Sequence, residues 1–158
     1  MLLEGSCHCR AVRFSLQSKT PQPYMHCYCS ICRKTAGGGG CAINLGGEAE
    51  TLSVRGKRHL RVYRATLEDG SESPAERRFC GRCGSALWVW DPRWPALIHP
   101  FASAIDTALP KPSERCHIMV DYAPGWVRIP SGRRDPHFSD YPDQSLEDWH
   151  RSRALLDS

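Results

Sequence analysis

The sequence predicts a mainly β protein of short antiparallel sheets with a short helical tail. Three observations carry this. Short apolar or alternating runs recur along the chain and are cut by Gly, Pro and polar clusters. No stretch of about 12 or more residues shows a clean helical period before residue 143. The segment Cys80-Gly81-Arg82-Cys83-Gly84 joins two strand-like runs by a tight turn.

Taken in order, Leu2–Cys9, Ala11–Gln17 and Tyr24–Tyr28 read as strands, with breaks at Cys9-Arg10 and at Pro21-Gln22-Pro23. Ser30 to Ala36 reads as a single helical turn with Ser30 as its N-cap. Gly37–Gly40 is a loop, and it lacks the Lys-Ser/Thr end of a phosphate loop. Cys41–Leu45, Thr51–Val54 and Arg61–Ala65 are further strands, and Arg77–Cys80 enters the cysteine turn that Ala86–Trp90 leaves. Leu97–Ala102 and His117–Tyr122 have the pattern of half-buried strands. Gly132–Pro142 is polar and irregular, and Ser145–Leu156 reads as a short helix with Leu146, Trp149 and Leu155 as its apolar contacts.

A chain of 158 residues is one domain's worth and buries roughly 70% of its unfolded surface. Residues 1–130 are expected to form the domain, and 131–158 an extension packing on it. No segment is apolar enough to span a membrane, and the N-terminus lacks a basic stretch followed by an apolar one. These features point to the cytoplasm, where disulfides are rare. The net charge of +4 is mild. Its densest part, Arg55, Lys57, Arg58, Arg61 and Arg64, reads first as a solvated face and second as an attraction for a small anion. No nucleic-acid-binding motif accompanies it.

Nine cysteines then need an explanation. In a reducing compartment, closely spaced cysteines are metal ligands or catalytic thiols, and an odd count argues against a complete disulfide framework. Cys80 and Cys83, three apart on a turn with Gly81 and Gly84, can aim both sulfurs at one point. Cys7 and Cys9, alternate residues on a strand, share a face. The four together suit a tetrahedral Zn²⁺. Buried cysteines packing as small hydrophobes are the competing explanation.

His26-Cys27-Tyr28-Cys29-Ser30-Ile31-Cys32 is a second cluster. Cys27, Cys29 and Cys32 can converge on one metal and leave a position open, the pattern of a catalytic or ligand-binding zinc. Three alternatives stay open on spacing alone. His26, Cys41 or Cys116 could close the site; Cys27 and Cys29 could pair instead with Cys80 and Cys83; or Cys29 and Cys32 could be a metal-free redox pair.

Gly5-Ser6-Cys7-His8-Cys9, Cys27-x-Cys29-x-x-Cys32-Arg33-Lys34 and Phe79-Cys80-x-x-Cys83-Gly84-Ser85 resemble the family of glutathione-dependent formaldehyde-activating enzymes, which also includes a centromere protein. The resemblance runs from about Leu3 to Val127. It implies an Mss4-like β-tent, a structural zinc at Cys7, Cys9, Cys80 and Cys83, and a more labile zinc at Cys27, Cys29 and Cys32. It also implies condensation of glutathione with formaldehyde, a carbon–sulfur lyase reaction in reverse. Fold and metal sites do not by themselves fix a substrate.

Two functions follow as expectations. In the first, a small thiol such as glutathione and an aldehyde are the partners, and Cys27, Cys29 and Cys32 hold the catalytic zinc. Arg33, with Lys34 beside it, is the candidate cation for the developing alkoxide. In the second, the chain is a non-catalytic zinc module that binds a protein or another polymer through its basic run and tail. Trp88, Trp90 and Trp94 read as packing residues or a pocket wall, and His99 and His117 as ordinary strand histidines. The tail is a cover over the domain or a homodimer contact.

Overall fold

A computed structural model describes residues 1–156; Asp157 and Ser158, at the end of the expected extension, lie outside the described residues. Among the described residues, twelve strands form three small sheets. The first contains β1 (Leu2–Ser6), β2 (Arg13–Gln17) and β6 (Ser53–Arg55), in the order β1-β2-β6. The second is β5-β10-β9-β8-β7, made of β5 (Gly47–Glu48), β7 (Leu60–Tyr63), β8 (Glu76–Cys80), β9 (Ala86–Trp90) and β10 (Leu97–Pro100). The third is β12-β11-β3-β4, made of β3 (Tyr24–Cys27), β4 (Ala42–Asn44), β11 (Arg115–Ile118) and β12 (His137–Phe138). The described residues also form two short α-helices, α1 (Ser30–Ala36) and α2 (Leu146–Arg151), and four 3₁₀ turns.

The first two sheets are antiparallel throughout. The third is mixed, because β11 runs parallel to both β3 and β12. A parallel pair needs a long crossover, and here the seven strands β4 to β10 lie between β3 and β11.

Alternation explains the first sheet. Leu3 of β1 and Phe14 and Leu16 of β2 point inward and are buried, while Leu2, Glu4, Arg13 and Gln17 are exposed. Gly5 is needed where β1 passes under Phe14, since a Cβ there would lie 2.4 Å from the Phe14 ring and 2.5 Å from the Ala104 carbonyl oxygen. In β9, Leu87, Trp88 and Val89 are buried in succession, as a strand covered on both faces requires. Leu87 and Trp88 pack with Leu3, Phe14 and Ile98, whereas Val89 packs with Cys27, Cys32 and Phe101. The middle sheet therefore serves two apolar clusters, and one cysteine group lies at the edge of each.

The tail lies against the third sheet. β12 adds to β11, and Trp149 and His150 of α2 are buried. His150 Nε2 donates to the Gln22 carbonyl at 2.7 Å. Ser145 caps α2 by accepting from the Asp148 amide at 3.1 Å.

Candidate metal centres

Cys80 is the last residue of β8, and the chain reverses through residues 81–83. Gly84 closes the turn at φ 74°, a left-handed conformation that costs glycine little, and its N–H donates to the Cys80 carbonyl at 2.8 Å. The other pair differs from the strand arrangement expected. β1 ends at Ser6, and Cys7 and Cys9 sit on the following turn, where the Arg10 N–H donates to the Cys7 carbonyl at 2.8 Å. The turn, not strand alternation, brings both sulfurs to one side.

The Cys7 and Cys9 sulfurs are 3.6 Å apart and those of Cys9 and Cys80 3.8 Å apart. A metal–sulfur bond of about 2.3 Å in tetrahedral geometry sets its sulfurs about 3.8 Å apart. With Cys83 included, all four lie within 4.8 Å of one another. Donors converge on them: the Val12 amide is 3.2 Å from Cys7 Sγ and the Arg82 amide 3.4 Å from Cys80 Sγ. The Cys83 thiol is drawn down to about 5, first by the Ser85 hydroxyl at 3.2 Å. Cys7 and Cys80 are buried while Cys9 and Cys83 are exposed, so the group bridges core and surface.

The second group is built at the junction of β3 and α1. Cys27 ends β3, and the N-cap of α1 is Cys29 rather than Ser30, its sulfur accepting from the Cys32 amide at 3.4 Å. Cys29 therefore leaves the strand and turns its sulfur inward. The three sulfurs of Cys27, Cys29 and Cys32 also lie within 4.8 Å of one another. None of His26, Cys41 and Cys116 joins them among the described residues. Cys41 Sγ instead approaches His26 Nδ1 at 3.6 Å, and the Cys80–Cys83 pair belongs to the other group.

These thiols hold their protons unequally. Cys29 is drawn down to about 2, first because Cys27 donates to it and then because Cys32 does, with the Cys32 and Ile31 amides adding to this. Cys27 is raised, chiefly as the donor to Cys29. Cys32 ends at about 11, where the lowering by Cys27 is outweighed by its bond to Cys29 and by burial. A cation binding here has to displace the protons that Cys27 and Cys32 hold, which makes its affinity rise with pH. Both groups could hold a metal ion.

The three-sulfur group opens into a cavity of about 870 Å³. Met25, Ile118 and Val89 supply apolar walls, and Arg77, Asp91 and His99 are its polar residues nearest the middle sheet. His99 Nδ1 donates to the Leu45 carbonyl at 3.1 Å, and burial lowers its pKa. The outer wall is Trp94 with Tyr141, Leu146 and Trp149 of the tail. Trp94 and Tyr141 meet edge to face at 5.6 Å. Trp88 is a core residue, packed against Phe14 at 5.0 Å, and Trp90 is outside the cavity lining.

Arg33 and Lys34 are not among the residues lining the cavity. The cation that does reach the sulfurs is Arg77, and sequence reasoning passed over it. Its position in the strand that enters the cysteine turn was visible, but its proximity to Cys32 depends on packing between sheets. His117 is fully buried, accepting from the Tyr28 hydroxyl at 2.8 Å and donating to Asp135 at 3.4 Å.

Comparison with known proteins agrees with this architecture. A sequence profile described as that of the glutathione-dependent formaldehyde-activating enzyme matches residues 2–121. A protein of Halomonas elongata, named as a candidate glutathione-dependent formaldehyde-activating enzyme, is 61% identical over 155 residues, covering 98% of each chain. A Rhodobacter sphaeroides protein of known crystal structure superposes with a TM-score of 0.54 at 25% identity, covering 68% of this chain and 91% of that one. The matched stretch contains every cysteine of both sulfur groups, and on this sequence and fold the chain belongs to the glutathione-dependent formaldehyde-activating enzyme family.

Proposed function

We propose that this protein joins a small thiol, glutathione, to formaldehyde, and that both sulfur groups hold zinc. The observation that carries the reading is a three-sulfur group with no fourth ligand among the described residues, opening into a cavity large enough for a tripeptide. All-sulfur donor sets of this geometry suit Zn²⁺. Bound to Cys27, Cys29 and Cys32, zinc supplies positive charge and an open position that favour a deprotonated thiol at neutral pH.

The chain's own residues do the rest. The α1 N-cap fixes Cys29, and Val89 and Phe101 pack behind Cys27 and Cys32, so the three sulfurs stay in place. The apolar walls limit water around the reacting sulfur, and a held thiol meets the aldehyde in an orientation that removes much of the entropic barrier. Sulfur attacks the carbonyl carbon, the carbon–sulfur bond forms, the π pair moves to oxygen, and that oxygen takes a proton. The product is S-hydroxymethylglutathione, the direction opposite to that of a carbon–sulfur lyase. The four-sulfur group has no free position and supports the fold. The reaction is assigned to the cytoplasm, where glutathione is abundant.

Zinc per chain by elemental analysis, together with exchange NMR of glutathione and formaldehyde, tests this. Two zinc ions and exchange faster than the spontaneous rate are expected, with Cys32→Ala retaining one zinc and losing the acceleration. A fully loaded protein that leaves the spontaneous rate unchanged would sink the enzymatic reading and favour a zinc-stabilised binding module.

A further inference from the structure

We propose that Arg77 is a catalytic residue that receives the aldehyde oxygen as it becomes an alkoxide, an inference resting on the thiol–aldehyde reading above. Arg77 lies in β8 opposite Val89 of β9, so the two side chains share a face. Val89 packs with Cys27 and Cys32, and Arg77 lines the same cavity. Its Nη2 is 4.0 Å from Cys32 Sγ. Its Nε and Nη1 are shut off from solvent and have no hydrogen-bond partner among the described residues. Buried donors are nearly always satisfied, because leaving them idle opposes folding.

The neighbouring carboxylate does not answer this need. Asp91 is held by Arg93, whose Nη2 and Nε donate to it at 2.6 and 3.0 Å. Balancing the charge of the cysteine sulfurs would occupy Nη2 alone and leave the other two donors idle. With Nε and Nη1 closed off, Nη2, 4.0 Å from Cys32 Sγ, is the donor placed to meet an oxygen ligand in the cavity.

Reach decides which oxygen. The alkoxide is two bonds from the attacking sulfur, whereas the carboxylates of a tripeptide thiol are several bonds further. A guanidinium this close to a cluster sulfur is placed for the former. As the carbon–sulfur bond forms and the π pair moves to oxygen, Arg77 donates hydrogen bonds and keeps its protons. The alkoxide then takes from solvent the proton that the thiol gave up. The role expected of Arg33 thus falls to a residue 44 positions later in the chain.

Formate has the carbon of formaldehyde with an anionic oxygen and serves as the probe. Its binding to the zinc-loaded protein is measured by calorimetry for the unaltered chain, Arg77→Met and Arg77→Lys, with zinc content and Tm read on each. Binding weakened about tenfold or more in Arg77→Met, with zinc retained, is expected from loss of a charge-assisted contact. Arg77→Lys keeps the charge but not the planar fork, and should bind formate several-fold more weakly. No formate binding by the unaltered chain, or equal binding by all three, overturns the assignment. Should Arg77→Met lose zinc or fold, the lysine variant decides on the same criterion. Glutathione binding, measured in parallel, judges the thiol separately: its absence beside Arg77-dependent formate binding would discard the thiol and leave the oxyanion seat standing.

Discussion

Cys29 shows how much one residue carries. It is at once the N-cap of α1, a member of the sulfur group and the thiol most easily ionised there. Cys29→Ser should keep the cap, because serine is a good N-cap, while loosening the metal. Zinc at the three-sulfur group should fall well below one per chain, with Tm lowered by only a few degrees. By contrast Cys80, fully buried in the first apolar cluster, is structural twice over. Cys80→Ala should remove the other zinc and lower Tm by roughly 10 °C or more, since metal affinity at such a site is folding free energy. His26 gives a pH prediction. Burial first, then His117 and Arg115, push its pKa down to about 4, with Asp135 opposing. The folded pKa lies below the unfolded one, so the unfolded state binds more protons between about pH 6.5 and 4. Stability should therefore fall as pH drops through that window, by about 1–2 kcal/mol for this ring after allowance for its partial exposure. His26→Gln should flatten that part of a urea-midpoint profile; an unchanged slope would remove His26 as the cause.

At the scale of elements, the strands flanking the Cys80–Cys83 turn were the most legible. β9 matches its expected bounds, and β2 and β8 differ from theirs by one or two residues, because alternation and a cysteine turn mark them. β12 was missed: two residues between Pro136 and Pro142 carry no periodicity, and they form a strand only because β11 offers an edge. Leu97–Ala102 overran β10 into a short 3₁₀ turn, and His117–Tyr122 missed the first two residues of β11 and overran its end into another. The parallel pairing of β3 with β11 could not be read from local pattern at all, since it joins segments about 90 residues apart. The grouping of seven cysteines was legible from spacing and resemblance; the cation beside them was not. For α2, Ser145→Ala removes a cap worth about 1 kcal/mol. Because Leu146 and Trp149 wall the cavity, the KM for the thiol should rise several-fold while kcat changes little. A steady-state assay separates the two parameters.

For the whole molecule, the two sulfur groups should part company under chelation. The three-sulfur group presents fewer ligands and opens to a cavity. A mild chelator should remove about one zinc per chain without loss of far-ultraviolet circular dichroism. Removal of the second should coincide with unfolding, because its ligands tie the turn after β1 to the end of β8. Simultaneous release of both, tracked with a zinc-sensitive dye, would contradict the division of labour. That tie has a consequence for how the chain is made. Cys7 and Cys9 leave the ribosome well before Cys80 and Cys83, which follow roughly 70 residues later. At synthesis rates of about 5–20 residues per second, the first pair waits for several seconds. The local trio at Cys27, Cys29 and Cys32 has no such delay. On the zinc occupancy proposed above, order of synthesis sets order of metallation: the three-sulfur group can fill first, and the ion proposed to hold the fold together arrives last.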